Sequence, residues 1–291
     1  MSGSLPARML VGLIGKNIGQ SLSPALHEDA FAAHGVLGLY HLMDAEMPRG
    51  RSLPDLLNAA RMAGFAGVNV TFPFKEAVIP LLDEVSAEAR EIGAVNTVVI
   101  DSQGRTSGYN TDRSGFRAAF RETFGETSVA GQAVLQLGAG GAGRAVAFAL
   151  MDLGVAQLRL FDRDHGRARQ LAADLSARFG AGRALALEAP EPAVASVAAI
   201  VNATPIGMTG HEGLPMPTAA IERRHLVADV IYTPLETEFV RAAKAKGCRA
   251  MGGAGMCVHQ AAEAFRLFTG RAANVERMRR TFIAAAERRG N

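Results

Sequence analysis

The chain has 291 residues, of which 48% are hydrophobic and 20% charged, and its formal net charge is only +3. That length accommodates two domains of ordinary size, and the composition excludes a disordered chain. Apart from pairs such as Arg223-Arg224 and Arg288-Arg289 the basic residues are dispersed, and Trp is absent, so no basic stripe with interleaved aromatics marks a nucleic-acid partner.

The first residues, 1–8, lack the charged and then apolar layout of a secretion signal. No apolar run approaches the roughly 18 residues of a membrane span. A cytoplasmic protein with no membrane partner is expected. Cys248 and Cys257 fit no zinc ligand set and are expected to be buried thiols rather than a disulfide.

In chain order, residues 9–14 are a compact apolar run ended by Gly15, the pattern of a buried parallel strand. Ser23-Pro24 then predicts a helix to about residue 34, with Ser23 as N-cap and Pro24 at the first helical position. Further strands are predicted at 39–43, 67–70 and 94–100, with helices at 52–63 and 86–92 between them. The turn Asp101-Ser102-Gln103-Gly104 makes a hairpin of 94–109. This βαβ rhythm implies a mostly parallel sheet with helices on its faces.

From Gly131 the rhythm restarts. A strand at 133–137 leads through a glycine loop to a helix at 144–153, closed by Gly154, then a strand at 157–161 and a helix at 167–179. Strands follow near 183–187, 197–202, 226–231 and 248–251, with a helix at 236–246. The last stretches, 255–270 and 273–288, are helical by their 3.6-residue spacing. They come too late to extend the second sheet and are expected to return to the first domain. The fold class is α/β, in two domains.

Leu137-Gly138-Ala139-Gly140-Gly141-Ala142-Gly143-Arg144 carries a G-x-G-x-x-G spacing between a predicted strand and a predicted helix. Gly138 permits the tight turn, Gly140 lets a pyrophosphate approach the backbone, and Gly143 lets helix and strand pack closely. The helix N-terminus then offers its N–H groups to the phosphates. Asp162 closes the next strand, where a carboxylate accepts both hydroxyls of an adenosine ribose and repels a 2′-phosphate. NAD is therefore the expected cofactor and NADP the alternative, since Arg163 and Arg167 soften that repulsion.

Three polar clusters stand at strand ends in the first half. They are Gln20-Ser21-Leu22-Ser23-Pro24, Asn69-Val70-Thr71-Phe72-Pro73-Phe74-Lys75, and Gly93-Ala94-Val95-Asn96-Thr97 together with Asn110-Thr111-Asp112. The carboxyl ends of parallel strands form the ligand crevice of such sheets. Hydroxyls, amides, one ammonium and one carboxylate gathered there suit a small polyhydroxylated acid. No Cys/His/Asp cluster has metal-ligand spacing, so metal-free chemistry is expected. The seven His residues are read as surface or helix-face groups, and Met9, Met43 and Met62 as core filling.

These motifs, S-x-S-P, N-V-T-x-P-x-K, G-A-V-N-T, N-T-D and G-x-G-G-x-G in this order, resemble the shikimate dehydrogenase family, including its quinate/shikimate branch. Ala203-Thr204-Pro205-Ile206-Gly207-Met208, Tyr232-Thr233-Pro234, Gly255-Met256 and His259-Gln260-Ala261-Ala262 extend the resemblance, which runs from about residue 10 to 270. It implies reversible oxidation of a ring hydroxyl to a ketone, with Lys75 and Asp112 as the catalytic pair. Ser21 and Ser23 would hold the substrate carboxylate with help from Tyr232. Asn69, Thr71, Asn96, Asp112 and Gln260 would bind ring hydroxyls. The cofactor would touch Gly138, Ala139, Gly140, Gly141, Ala142, Gly143, Asp162, Arg163, Asn202, Thr204, Val230 and Gly253. The implied organisation is a substrate domain over 1–112, completed by helices at about 257–291, with a Rossmann-type domain over 113–256 between them.

There are departures. NADP-using members carry Asn-Arg-Thr or Asn-Arg-Ser where this chain has Asp162-Arg163-Asp164, which supports NAD. Some quinate-using members carry Thr in place of Ser23, which favours shikimate with quinate second. An ordinary lysine is protonated at neutral pH and a carboxylate beside it strengthens that preference. The charged form suits reduction of the ketone, and oxidation is expected to accelerate towards the lysine titration range. Two other classes compete. A methylenetetrahydrofolate dehydrogenase has a similar build but is disfavoured by S-x-S-P and N-T-D. A metabolite sensor that lost its chemistry would be expected to lack Lys75 or Asp112. The expected partner is a small molecule, and the expected assembly is a monomer or homodimer.

Overall fold

The described residues, 8–46 and 50–290 of this computed structural model, form two six-stranded sheets. The N-terminal segment 1–7, part of the stretch read above for a secretion signal, lies outside them. By contact the chain divides into one unit ending at Thr111 and resumed by Gln260–Gly290, and a second unit, Asp112–His259.

The first unit begins with β1 (Arg8–Gly15), α1 (Ser23–Ala33), β2 (Leu37–Asp44), α2 (Leu53–Met62) and β3 (Gly67–Val70). It continues with β4 (Glu84–Val85), α3 (Ala87–Ile92), β5 (Thr97–Ile100) and β6 (Thr106–Tyr109). The strand order is β2-β1-β3-β5-β6-β4. β1 runs parallel to β2 and β3, whereas β5 lies antiparallel to both β3 and β6. The sheet is therefore mixed, because the short Asp101–Gly104 turn allows only a hairpin return. Caps start the helices: Ser52 accepts the Asp55 N–H and Ser86 that of Ala89, while Gly93 ends α3 with φ 74°. Leu56, Leu57, Val68, Val70 and Val98 lie in the apolar core beneath the sheet.

The second unit holds α4 (Thr111–Phe124), whose first residue still belongs to unit one, β7 (Ala133–Leu137), α5 (Gly141–Asp152), β8 (Gln157–Phe161), α6 (His165–Phe179) and β9 (Ala184–Ala186). After these come β10 (Ala199–Asn202), β11 (Leu226–Asp229), α7 (Glu238–Ala245) and β12 (Arg249–Met251). All pairings are parallel, in the order β12-β11-β10-β7-β8-β9. The first strand, β7, thus neighbours the fourth, β10, which is the reversal point where a doubly wound sheet opens its ligand crevice. α8 (Ala254–Thr269) leaves this unit at Gln260, and α9 (Val275–Arg288) packs on α1. There Arg277 binds both oxygens of Asp29, at 2.8 and 2.7 Å, and Thr281 adds a third bond at 2.9 Å.

Several local expectations change. Ser23 is not an N-cap: the chain already turns at Leu22, and Ser23 opens α1 as its first helical residue. α6 starts at His165, two positions before the expected Arg167, because Asp164 caps it by accepting the Gly166 and Arg167 N–H groups. β5 starts at Thr97, not residue 94, since Val95 N–H is taken by the Lys75 carbonyl, outside the ladder. His225 is buried and in no helix, rather than on the surface or a helix face, and His27 is on the buried face of α1. His225 is satisfied by the Glu222 N–H and the Val194 carbonyl, and His27 packs among aromatic rings. Met62 is exposed at the end of α2 instead of filling core, whereas Met43 is buried. Cys248 and Cys257 are buried thiols.

Candidate active site

The three polar clusters of the first half arrive at one end of the first sheet through its register. Ile14 pairs with Val70, Asn69 with Thr97, and Thr97 with Tyr109. The loops after β1, β3 and β6 and the start of β5 are therefore neighbours. Gly15 makes this possible, since a β-carbon there would sit 2.4 Å from the Thr71 methyl. Lys16 N–H donates to the Phe72 carbonyl at 3.1 Å, joining the first two loops.

Buried amides and hydroxyls then form a continuous network. Asn69 Nδ2 donates to the Asn96 carbonyl at 3.2 Å and to Thr97 Oγ1 at 2.9 Å. Thr97 Oγ1 donates to Asn96 Oδ1 at 3.0 Å, and that oxygen also accepts the Thr111 N–H at 2.8 Å. Asn96 Nδ2 reaches Thr111 Oγ1 at 3.0 Å, and this hydroxyl reaches Gln260 Oε1 at 3.4 Å. Lys75 enters by its backbone, its carbonyl accepting the Val95 N–H at 2.8 Å. Asp112 follows Thr111 directly on α4 and is buried. Asn110 is tied to the Ala94 carbonyl at 2.9 Å. Ser21 Oγ accepts the Ser23 N–H at 3.3 Å, which leaves the Ser21 hydroxyl hydrogen available to an anion. Tyr232 is half-buried in the second unit, after β11.

In the second unit the glycine loop fits a dinucleotide pyrophosphate. Gly138 has φ 98°, and a β-carbon there would lie 2.6 Å from the Ala203 carbonyl oxygen. At Gly143 it would lie 2.4 Å from the Gly138 carbonyl oxygen, whereas in front of Gly140 the nearest atom is Arg167 Nη1 at 4.0 Å. Close packing at the first and third glycines with open space at the second is the cradle that phosphates require. Ala139, Gly141 and Ala142 line the same turn into α5. Asp162 Oδ2 accepts the Ala139 N–H at 2.7 Å, and the neighbouring Arg163 is exposed.

Asn202 is buried with its side chain fully engaged. Its Nδ2 donates to the Ile206 carbonyl and to Asp229, while its Oδ1 accepts the N–H and hydroxyl of Thr204. It shapes the loop after β10, so any cofactor contact falls to the backbone it holds. Gly253 and Val230 meet closely, since a β-carbon at Gly253 would be 2.1 Å from the Val230 carbonyl oxygen. Asp229 accepts from Asn202, Ile231 N–H and the Thr237 hydroxyl, and burial nevertheless pushes its carboxyl up to about 6. Among the described residues no group of three or more His, Cys, Asp and Glu side chains could hold a metal ion, and no helix is long and apolar enough to cross a membrane.

Comparison with known proteins gives the family. The family model of the shikimate dehydrogenase substrate binding domain matches residues 13–98, and that of the shikimate 5'-dehydrogenase C-terminal domain matches 253–281. The quinate/shikimate dehydrogenase (NAD(+)) of Corynebacterium efficiens is 46% identical over 280 residues, covering 95% of this chain and 98% of the relative. The chain belongs to the shikimate dehydrogenase family. Another member, the shikimate dehydrogenase (NADP(+)) of an Arthrobacter species, is 44% identical and covers 94% of each chain. Among solved structures, quinate dehydrogenase from Corynebacterium glutamicum in complex with NAD superposes with a TM-score of 0.90 at 43% identity, covering 96% of this chain and 99% of that one.

Several residues of this shikimate dehydrogenase family member escape motif reading because they support the site from behind. Gln136 is buried on β7, and its Nε2 donates to the carbonyls of Gly138 and Gly143, both at 2.8 Å, clamping the glycine loop. A polar residue inside an otherwise apolar strand was the available signal. Tyr40, on β2, donates its hydroxyl to Asn69 Oδ1 at 2.8 Å. Arg289, beyond α9, donates to the carbonyls of Gln20 and Ser21, and no spacing in the sequence links those positions.

Proposed function

We propose that this chain catalyses the reversible NAD-dependent oxidation of shikimate to 3-dehydroshikimate, with quinate as a second substrate. The observation that carries this reading is the buried network from Asn69 through Thr97 and Asn96 to Thr111 and Gln260. It gathers fixed amides and hydroxyls beside the backbones of Lys75 and Asp112, the surroundings a ring bearing several hydroxyls needs. The names of the relatives, which include both acids, support the substrate class. The Asp162 carboxylate at the end of β8 supports NAD over NADP.

In this reading Ser21 and Ser23, with Tyr232, hold the substrate carboxylate, and Asn69, Thr71, Asn96 and Gln260 bind ring hydroxyls. Lys75 and Asp112 handle the hydroxyl proton at the reacting carbon. During oxidation the neutral amine of Lys75 takes that proton, and during reduction its ammonium returns one to the forming alkoxide. The dinucleotide, when bound, supplies the hydride acceptor or donor. The residues that would hold it are the Gly138–Gly143 turn, Asp162 and Arg163, and the segments around Asn202, Thr204, Val230 and Gly253. The proposed domains are 1–112 with about 257–291 for substrate and 113–256 for cofactor. A cytoplasmic monomer or homodimer acting on small molecules completes the reading.

The test is steady-state formation of reduced dinucleotide by the purified protein with shikimate and quinate, each with NAD and NADP. Shikimate with NAD is expected to give the highest kcat/KM. A protein that binds the dinucleotide and oxidises neither acid refutes the assignment.

A further inference from the structure

Two backbone groups fix the orientation of the site amides. The Asn96 carbonyl can only accept, so the Asn69 atom facing it at 3.2 Å is the amide nitrogen. The Thr111 N–H can only donate, so the Asn96 atom facing it at 2.8 Å is the amide oxygen. Both Asn69 amide hydrogens are then used inside the protein, on Asn96 and Thr97. Its Oδ1 carries the Tyr40 hydroxyl at 2.8 Å and has one lone pair left.

Tyr40 is itself held firmly. Its backbone N–H donates to Glu28 Oε1 at 3.0 Å, and its ring stacks on His27 with centroids 4.7 Å apart. His27 is buried, and desolvation lowers its imidazole to about 3, so the ring stays neutral and packs as an apolar plate. From β2 the phenol reaches across β1 to Asn69 on β3.

We infer that Tyr40 and Thr97 are positioning residues that grip the Asn69 amide from opposite ends, so that Asn69 meets the substrate only as an acceptor of a ring hydroxyl proton. Asn96 has the opposite polarity. Its oxygen is filled by Thr111 and Thr97, and one amide hydrogen remains for an oxygen of the ring. The pair thus reads a hydroxyl pattern by direction, donor at one position and acceptor at the other. This inference rests on the assignment of Asn69 to substrate binding.

The experiment measures the Kd of shikimate by titration into the full chain carrying Tyr40→Phe, Asn69→Ala, or both. The phenylalanine keeps the stacked ring and loses only the hydroxyl. Tyr40→Phe is expected to weaken shikimate about 3- to 10-fold, the effect of one lost hydrogen bond, with NAD affinity unchanged. In the Asn69→Ala background the same change is expected to alter Kd by less than about twofold, because its route is gone. If Asn69→Ala leaves shikimate binding intact, the site assignment fails and takes this inference with it. If Asn69→Ala weakens binding and Tyr40→Phe does not, or acts equally in both backgrounds, only the positioning role is overturned. Should Tyr40→Phe not fold, Thr97→Val replaces it in the same cycle. The part of its effect that runs through Asn69 is expected to vanish in the Asn69→Ala background while the part through Asn96 stays, and an effect of equal size in both backgrounds overturns the positioning role.

Discussion

The carboxylate of Asp162 is bonded to the backbone of Ala139, inside the glycine loop, at 2.7 Å. Its other oxygen accepts the Asp164 N–H at 2.9 Å, so the side chain is fixed between the loop and the start of α6. In the proposed cofactor site each oxygen has a lone pair to offer a ribose hydroxyl, and a carboxylate there would oppose a 2′-phosphate. On the proposed reading, one residue would link cofactor choice to loop geometry.

Asp162→Asn tests this link. The asparagine keeps an acceptor for Ala139 and removes the charge. The kcat/KM with NAD is expected to fall about tenfold, as a charge-assisted bond is lost, while that with NADP rises. Comparison of the two kcat/KM values, variant against parent, is the measurement. An unchanged ratio refutes Asp162 as the discriminating group.

Lys75→Met keeps the length of the side chain and removes the amine. The kcat for shikimate oxidation is expected to fall about 10²- to 10⁴-fold, the usual contribution of a positioned acid or base. NAD affinity, measured by titration, is expected to stay within twofold of the parent, about the experimental scatter in such comparisons. Lys75→Arg is not expected to rescue, because a guanidinium cannot give up its proton near neutral pH. Oxidation at parental kcat by Lys75→Met removes Lys75 from the chemistry.

Much of this was legible in the residues. Strands announced themselves by apolar runs such as 9–14 and 157–161, and the glycine loop by its place between strand and helix. The parallel pairing of the second sheet follows from a restarted βαβ rhythm, whereas its strand order comes from the structure. What stayed hidden depends on three-dimensional neighbours. Tyr40 and Asn69 lie on different strands with β1 between them, so only the register brings them together. His27 reads as an ordinary helix residue until the rings of Tyr40, Phe265 and Phe268 are placed around it. Ser23 has the composition of a cap, but a preceding residue that already turns takes that position away.

Asp229 gives a prediction in pH. Burial raises its carboxyl from 3.8 to about 6 in the folded chain. The folded state therefore holds a proton that the unfolded state has released between these values, so this group favours folding at low pH and loses that contribution as pH rises through about 6. Asp229→Asn keeps an oxygen to accept from Asn202 and Ile231 and reverses the bond to Thr237, its nitrogen donating to Thr237 Oγ1. The variant is expected to be more stable than the parent at pH 7 to 8, by about 1–3 kcal/mol for a shift of this size. The difference should shrink as pH falls below about 6. Thermal unfolding of both proteins across that range checks it, and a difference independent of pH contradicts the cause.

Arg289 bears on the loop proposed to hold the substrate carboxylate. Its Nη1 donates to the carbonyls of Gln20 at 2.5 Å and Ser21 at 3.1 Å, holding the loop that presents the Ser21 hydroxyl. Two charge-assisted bonds on an exposed loop restrict it before substrate arrives, and the loop then loses less freedom on binding. A guanidinium here also attracts an anionic acid, an effect that salt screens over about 8–10 Å. Arg289→Ala is expected to raise the KM for shikimate about 3- to 10-fold, the value of one or two lost hydrogen bonds, and to leave kcat nearly unchanged. Part of that rise should disappear at high ionic strength, where the parent also loses the attraction. A fall in kcat at constant KM would place Arg289 in the chemical step, and equal KM values would show that the loop holds its shape without it.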